Sequence, residues 1–119
     1  MRDHRKLRAF ELADALVFSI YSATKTFPKE EQFGLTSQIR RAATSIASNI
    51  VEGCARTSQG DYIRFLDMAF GSAREIEYQL SVAARLEYLS AEVATDLSGQ
   101  ADETARVLAG LLRSLRLEP

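Results

Sequence analysis

Few side chains in this sequence are of the kinds that carry reaction chemistry, and their spacing works against it. The single histidine, His4, sits in the basic stretch Arg2-Asp3-His4-Arg5-Lys6. Metal-binding helical bundles use Glu-x-x-His pairs facing inward, and no such pair occurs here. One His and one Cys do not make a zinc site either. Cys54 falls on the apolar side of a helical pattern with no histidine to activate it, so a buried, inert thiol is expected. Glu75 and Glu77 are two residues apart and project in different directions, which argues against a paired-carboxylate centre on one helix. No glycine-rich phosphate loop follows a strand. The sequence therefore predicts no catalytic residue, no cofactor and no metal.

What remains is cationic. Arg2, Arg5, Lys6 and Arg8 lie near the start, followed by Arg40, Arg41 and Arg56, then Arg64 and Arg74. These are the candidates for contact with the phosphates of RNA or DNA, or with a partner protein. The net charge is only −1, but residues 1–57 carry +3 and residues 58–119 carry −4. Arg40 and Arg41 are separated by about 100° on a helical wheel. Only one can point fully outward, and the other must lie along a helix seam or a subunit boundary.

The elements that must position these groups read as four helices. The most informative run is Leu35–Gly53, LTSQIRRAATSIASNIVEG, with apolar residues at Leu35, Ile39, Ala42, Ala43, Ile46, Ala47, Ile50 and Val51. That spacing marks one wide face of a helix, and its alanines and serines admit a close neighbour. A first helix is expected over about 7–26, with Ala9, Phe10, Ala13, Leu16, Val17, Ile20 and Tyr21 on one face. Pro28, Glu30 and Glu31 make a short turn before the second helix, about 35–56. Ser58 with Asp61 resembles a capping box opening the third, about 59–88. Its inner face runs Tyr62, Phe65, Leu66, Ala69, Ala73, Ile76, Leu80, Ala83 and Ala84. Ser90 caps the fourth, about 90–115, whose inner face runs Val93, Leu97, Ala101, Ala105, Leu108, Leu111, Leu112 and Leu115.

With no strand pattern and short connections, the expected fold is all-α: one domain over residues 1–119, an antiparallel up-down-up-down four-helix bundle. Phe18 falls off the inner face of the first helix, and Gly71, Tyr78 and Val82 off that of the third. An interior glycine costs about 1 kcal/mol relative to alanine, so an outward Gly71 beside Tyr78 and Val82 suggests a close approach from outside. These four, with Val51, are the candidate oligomer contacts. Asn49 is read either as a buried polar pin fixing register or, with Glu52, as an acceptor for an arginine of another helix.

Two segments resemble a known family. Gln38–Gly53, QIRRAATSIASNIVEG, and Phe65–Glu77, FLDMAFGSAREIE, are similar to the two signatures of bacterial four-helix proteins. These were first noticed as products of intervening sequences within large-subunit ribosomal RNA genes and are often labelled S23 ribosomal proteins. Arg40, Arg41, Asn49, Glu52, Gly53, Gly71, Ser72 and Glu75 occupy signature positions. The resemblance implies a closed bundle assembling into a ring-shaped homo-oligomer, a homopentamer in characterised members. It also implies a relation to the accessory variability protein of diversity-generating retroelements, a basic pentamer that binds nucleic acid and a reverse transcriptase.

At 119 residues, 46% hydrophobic and 26% charged, the chain is of globular composition. No apolar run reaches the ~18 residues of a membrane span, no secretory signal is read, and a lone cysteine fits the reducing cytoplasm. Three functions follow in order. The first is a non-enzymatic homo-oligomer, pentameric by resemblance, accessory to RNA or DNA metabolism. The second is a protein-interaction scaffold without nucleic acid, and the third a carboxylate-based enzyme.

Overall fold

In the computed structural model, which describes residues 2–118, the predicted stripes close on one another as four helices. They are α1 (Arg8–Thr24), α2 (Leu35–Cys54), α3 (Gln59–Arg85) and α4 (Ala91–Arg116), with 3-10 turns at His4–Lys6 and Lys29–Glu31. No strand occurs among the described residues. Helix α1 packs on α2 and α4, and α3 packs on α2 and α4, while the diagonal pairs do not approach. The cross-section is thus a square, and the body measures 48 × 23 × 19 Å.

Large side chains fill the middle of that square: Leu16 and Ile20 from α1, Ile39, Ile46 and Ile50 from α2, Leu66, Ile76 and Leu80 from α3, and Leu108 from α4. Buried alanines between them, Ala13, Ala43, Ala69, Ala73, Ala101 and Ala105, let the helices approach. Burying each such Leu or Ile stabilises the fold by about 1.5–3 kcal/mol against chain entropy. Two residues expected inside are not. Tyr21 is 40% exposed and Val93 is 42% exposed. Tyr21 lies under the Arg40 guanidinium, 4.6 Å from its ring centre. Val93 sits at the rim of a groove described below.

Three helices end two or three residues earlier than their periodicity suggests. For α3 the cause is a Schellman closure without glycine. Tyr88 N–H donates to Ala83 O (2.9 Å) and Glu87 N–H to Ala84 O (3.0 Å), with Glu87 at φ 65°. That left-handed position is normally glycine's. At α1, the Thr24 hydroxyl turns back to Ile20 O, 2.8 Å. Ser58 and Ser90 cap α3 and α4, their Oγ atoms accepting from Asp61 N–H (3.1 Å) and Val93 N–H (3.2 Å).

Two polar fastenings define the ends of the bundle. At one, Arg2 N–H donates to Cys54 O (3.0 Å). Its guanidinium donates to Arg56 O (3.3 Å) and Gln59 Oε1 (2.8 Å) and covers the Tyr62 ring at 3.9 Å. Gln59 in turn donates to Glu118, 2.8 Å. The segment before α1, the α2–α3 turn and the segment after α4 therefore meet here. At the other end, Glu31 accepts from Leu35 N–H (3.0 Å) and from Tyr88 Oη–H (2.7 Å), joining the α1–α2 and α3–α4 connections. Phe27 packs on Tyr88, ring centres 5.4 Å apart.

These bonds, the one from Leu35 foremost, hold the Glu31 carboxyl below its ordinary value of 4.5. A depressed carboxyl stabilises the folded chain fully above its unfolded value and loses that contribution as the pH falls through the folded one. Glu31→Gln should therefore melt below the wild type at pH 7, with the two melting curves converging once the pH is below the folded value. Melting points separated by the same margin at every pH would contradict this role for Glu31.

Candidate functional site

The structure gathers some of the sequence's cations and scatters the rest. Arg5, Lys6, Arg8, Arg56 and Arg64 lie with Arg2 at the fastened end, where α1 begins, α2 ends and α3 begins. Of the fifteen Lys and Arg residues, nine fall in 1–9, 53–64 and 106–118, against three acidic residues. Glu52, Asp67, Asp102 and Glu103 border these segments and pair with cations in them. Most of the cations are thus engaged. Arg5 pairs with Asp3 (3.0 Å), Arg8 with Glu103 (2.6 Å), Arg56 with Glu52 (2.9 Å), and Arg116 with Asp67. Arg64 lies 3.8 Å from Asp61. Arg56 and Arg64 also flank the Phe65 ring at 4.8 and 4.6 Å. Lys6 has no carboxylate partner among the described residues.

Arg40, Arg41 and Arg74 lie elsewhere. Arg40 runs along the α1–α2 seam, donating to Thr24 Oγ1 (2.8 Å) and Tyr21 O (3.3 Å). Arg41 is the exposed member of the pair. Arg74 donates to Glu77 (2.7 Å) and Asp102 (2.9 Å). Those bonds raise its own pKa, and the Arg74 guanidinium depresses that of Asp102.

Neither predicted role of Asn49 is what the side chain does. Its amide donates to Ser45 O (2.8 Å) and Ser45 Oγ (3.0 Å) in its own helix. The polar link from α2 to α3 is instead Ser45 to Ser72, hydroxyl to hydroxyl, at 3.0 Å. Glu52 pairs with Arg56 one turn later, not with another helix.

Cys54 is 1% exposed, and burial pushes its thiol pKa up against the opposing effects of the Tyr62 hydrogen bond and the Arg2 charge. Burial and then the nearby Cys54 push the Tyr62 phenol up to about 12. His4 stacks edge-on against Phe10 at 4.7 Å. Among the described residues no three His, Cys, Asp or Glu side chains converge as metal ligands would. No described helix is long and apolar enough to cross a membrane.

The side faces carry the remaining features. Phe18 is 70% and Tyr78 65% exposed. Gly71 is exposed, and a Cβ added there would meet nothing within 4 Å. Val51 is also exposed, and Val82 is half-buried. Phe18 borders a groove of about 760 Å³ between α1 and α4, lined by Ser19, Ser22, Ala23, Glu92, Val93, Asp96, Leu97 and Gln100. Across the bundle, Gln38, Arg41, Ala42, Ser45, Ser72 and Glu75 line a smaller hollow of about 340 Å³ between α2 and α3. Of the groove residues, the sequence marked Phe18 as an oligomer contact and Val93 and Leu97 as core, whereas Glu92, Asp96 and Arg85 were not read as contacts. The available signal was charge spacing: Arg41, Arg85, Glu92 and Asp96 have no opposite charge three or four residues away on their helices.

The class defined by this fold and surface is an all-helical four-helix protein with a buried aliphatic core and two differently furnished side faces. Its sequence matches the model of the 23S rRNA-intervening sequence protein family over residues 5–110, and the chain belongs to that family. Among solved structures it is similar to a protein of unknown function from the S23 ribosomal protein family of Bacteroides thetaiotaomicron VPI-5482. The TM-score is 0.82 at 27% identity, covering 87% of this chain and 97% of the other. No curated protein matches the sequence.

Proposed function

We propose that this chain is a non-enzymatic assembly protein: an antiparallel, up-down-up-down bundle whose copies form a ring-shaped homo-oligomer, pentameric by resemblance, accessory to RNA or DNA. The shared ends of the connecting segments support the up-down order. The observation that carries assembly is the exposure of Phe18 on α1 and of Tyr78 on α3, the latter seven residues after an interior Gly71 with open space above it. Single exposed apolar residues are ordinary, but a helical glycine with no neighbour costs stability that a second copy's close approach would explain. Light scattering on the wild type should give a several-fold multiple of 13.2 kDa. A clean 13.2 kDa species at tens of micromolar would refute assembly.

The nucleic-acid part rests on the cation-rich end, and the family's description makes ribosomal RNA the first probe. Phosphate-driven binding should weaken steeply between about 50 and 200 mM salt, with Lys6→Ala lowering the salt slope by about one. Absence of any gel shift with RNA or DNA at low salt would remove this part and leave assembly standing. The extensive pairing of the arginines with carboxylates favours a second reading, a scaffold for a partner protein. Recovery of one stoichiometric protein without nucleic acid would support it.

A further inference from the structure

The groove between α1 and α4 and the outer stripe of α3 differ in character and complement one another. Glu92 and Asp96 stand at the groove, and neither has a cationic partner among the described residues. Asp96 accepts only from Gln100, 3.1 Å. Phe18 and Val93 supply its exposed apolar surface. On α3, Gly71, Tyr78 and Arg85 recur every seven residues and so share one stripe, with the Glu75 carboxylate beside it accepting from Gln79 at 3.3 Å. Arg85 donates to Ser81 O at 3.2 Å and meets no carboxylate among the described residues. Arg41, on the α2 side of the same region, likewise has no carboxylate partner among the described residues.

Their placement matters as much as their charge. Helices α1 and α3 are diagonal in the square, so the two surfaces look away from each other. Both lie in the half of the bundle closed by Glu31 and Tyr88. Glu92 and Asp96 fall in the first two turns of α4 and Phe18 in the second half of α1. Arg41 falls in the first half of α2, and Tyr78 and Arg85 in the last third of α3. Two copies side by side at one level can therefore bring groove to stripe.

We infer that the α1–α4 groove of one copy receives the outer α3 stripe of the next, with Glu92 and Asp96 facing Arg41 and Arg85 of the neighbour. Tyr78 enters beside Phe18, and Gly71 permits the backbone approach. This makes the contact head-to-tail rather than two-fold, the kind of interface that repeats around a closed assembly. The inference rests on the assembly reading above.

Charge reversal tests it. The groove variant E92R/D96R and the stripe variant R41E/R85E alter exposed side chains, so each should keep the wild-type helical circular dichroism. Each alone should fall to 13.2 kDa in light scattering. The fourfold variant carrying both reversals should regain the wild-type mass, because its new groove and stripe again attract. A two-fold contact of groove with groove would not be restored in that chain. Wild-type mass in either double variant, or no recovery in the fourfold variant, overturns the pairing while leaving assembly intact. A monomeric wild type removes assembly and pairing together.

Discussion

Gly53→Val is expected to destabilise the chain by about 3 kcal/mol, the upper range for overpacking, and to lower its melting point by about 10 °C. Gly53 is a tight point of the α2–α3 seam. A Cβ built there would stand 2.9 Å from Phe65 Cβ and 3.4 Å from both Tyr62 Cδ1 and Tyr62 O. Phe65 Cβ and Tyr62 O are fixed by the α3 backbone and the Tyr62 ring is buried, so none is the yielding end of a flexible side chain and the helices themselves must part. Gly53→Ala should suffer less, because alanine regains about 1 kcal/mol of helix propensity. Calorimetry on the two variants measures both terms. A valine variant melting within about 2 °C of the wild type would mean the seam is looser than it looks.

The second large effect belongs to Tyr62. Its ring is 2% exposed and lies between the Arg2 guanidinium and the Cys54 thiol. Tyr62→Ala should cost about 3 kcal/mol, as truncation of a buried aromatic does. It should also loosen Arg2 and open a path to Cys54. In the wild type the thiol is both covered and held protonated by burial, so a thiol reagent at pH 8 should label it slowly. The alanine variant should label at least tenfold faster under native conditions. Tyr62→Phe keeps the ring over the thiol and removes only the hydroxyl, and should stay close to the wild-type rate. Equal labelling in all three would show that Tyr62 does not guard the thiol.

The helices were legible because the 3.6-residue period is written into Ile39, Ile46 and Ile50, and into Leu66, Ala73, Ile76 and Leu80. Their ends were less so. Glu87 takes a left-handed conformation that sequence assigns to glycine, and Glu31 caps α2 from outside it while holding Tyr88, 57 residues away. Neither follows from local propensity. Tyr21 and Val93 lie at the edges of their apolar arcs, where a few tens of degrees separate core from rim. The cations were visible as a list, but their pairing was only half visible. Arg56 with Glu52 and Arg64 with Asp61 follow helical spacing, whereas Arg8 with Glu103 and Arg116 with Asp67 join distant helices and need the fold. Gly53 and Gly71 look alike in sequence, yet one is pressed against Phe65 and the other is open.

The square cross-section has a consequence for how many copies could ever meet. Units joined through strictly opposite walls of a square prism stack into an unending row, a filament. Closure needs a wedge, with the mating walls inclined so that each unit turns the next by a fixed angle. In this chain the taper would come from side-chain bulk: Phe18 and Val93 on one wall, Gly71, Ser72 and Ala42 near the other. Enlarging the small wall would change the turning angle, and with it the choice between a closed particle and a fibre.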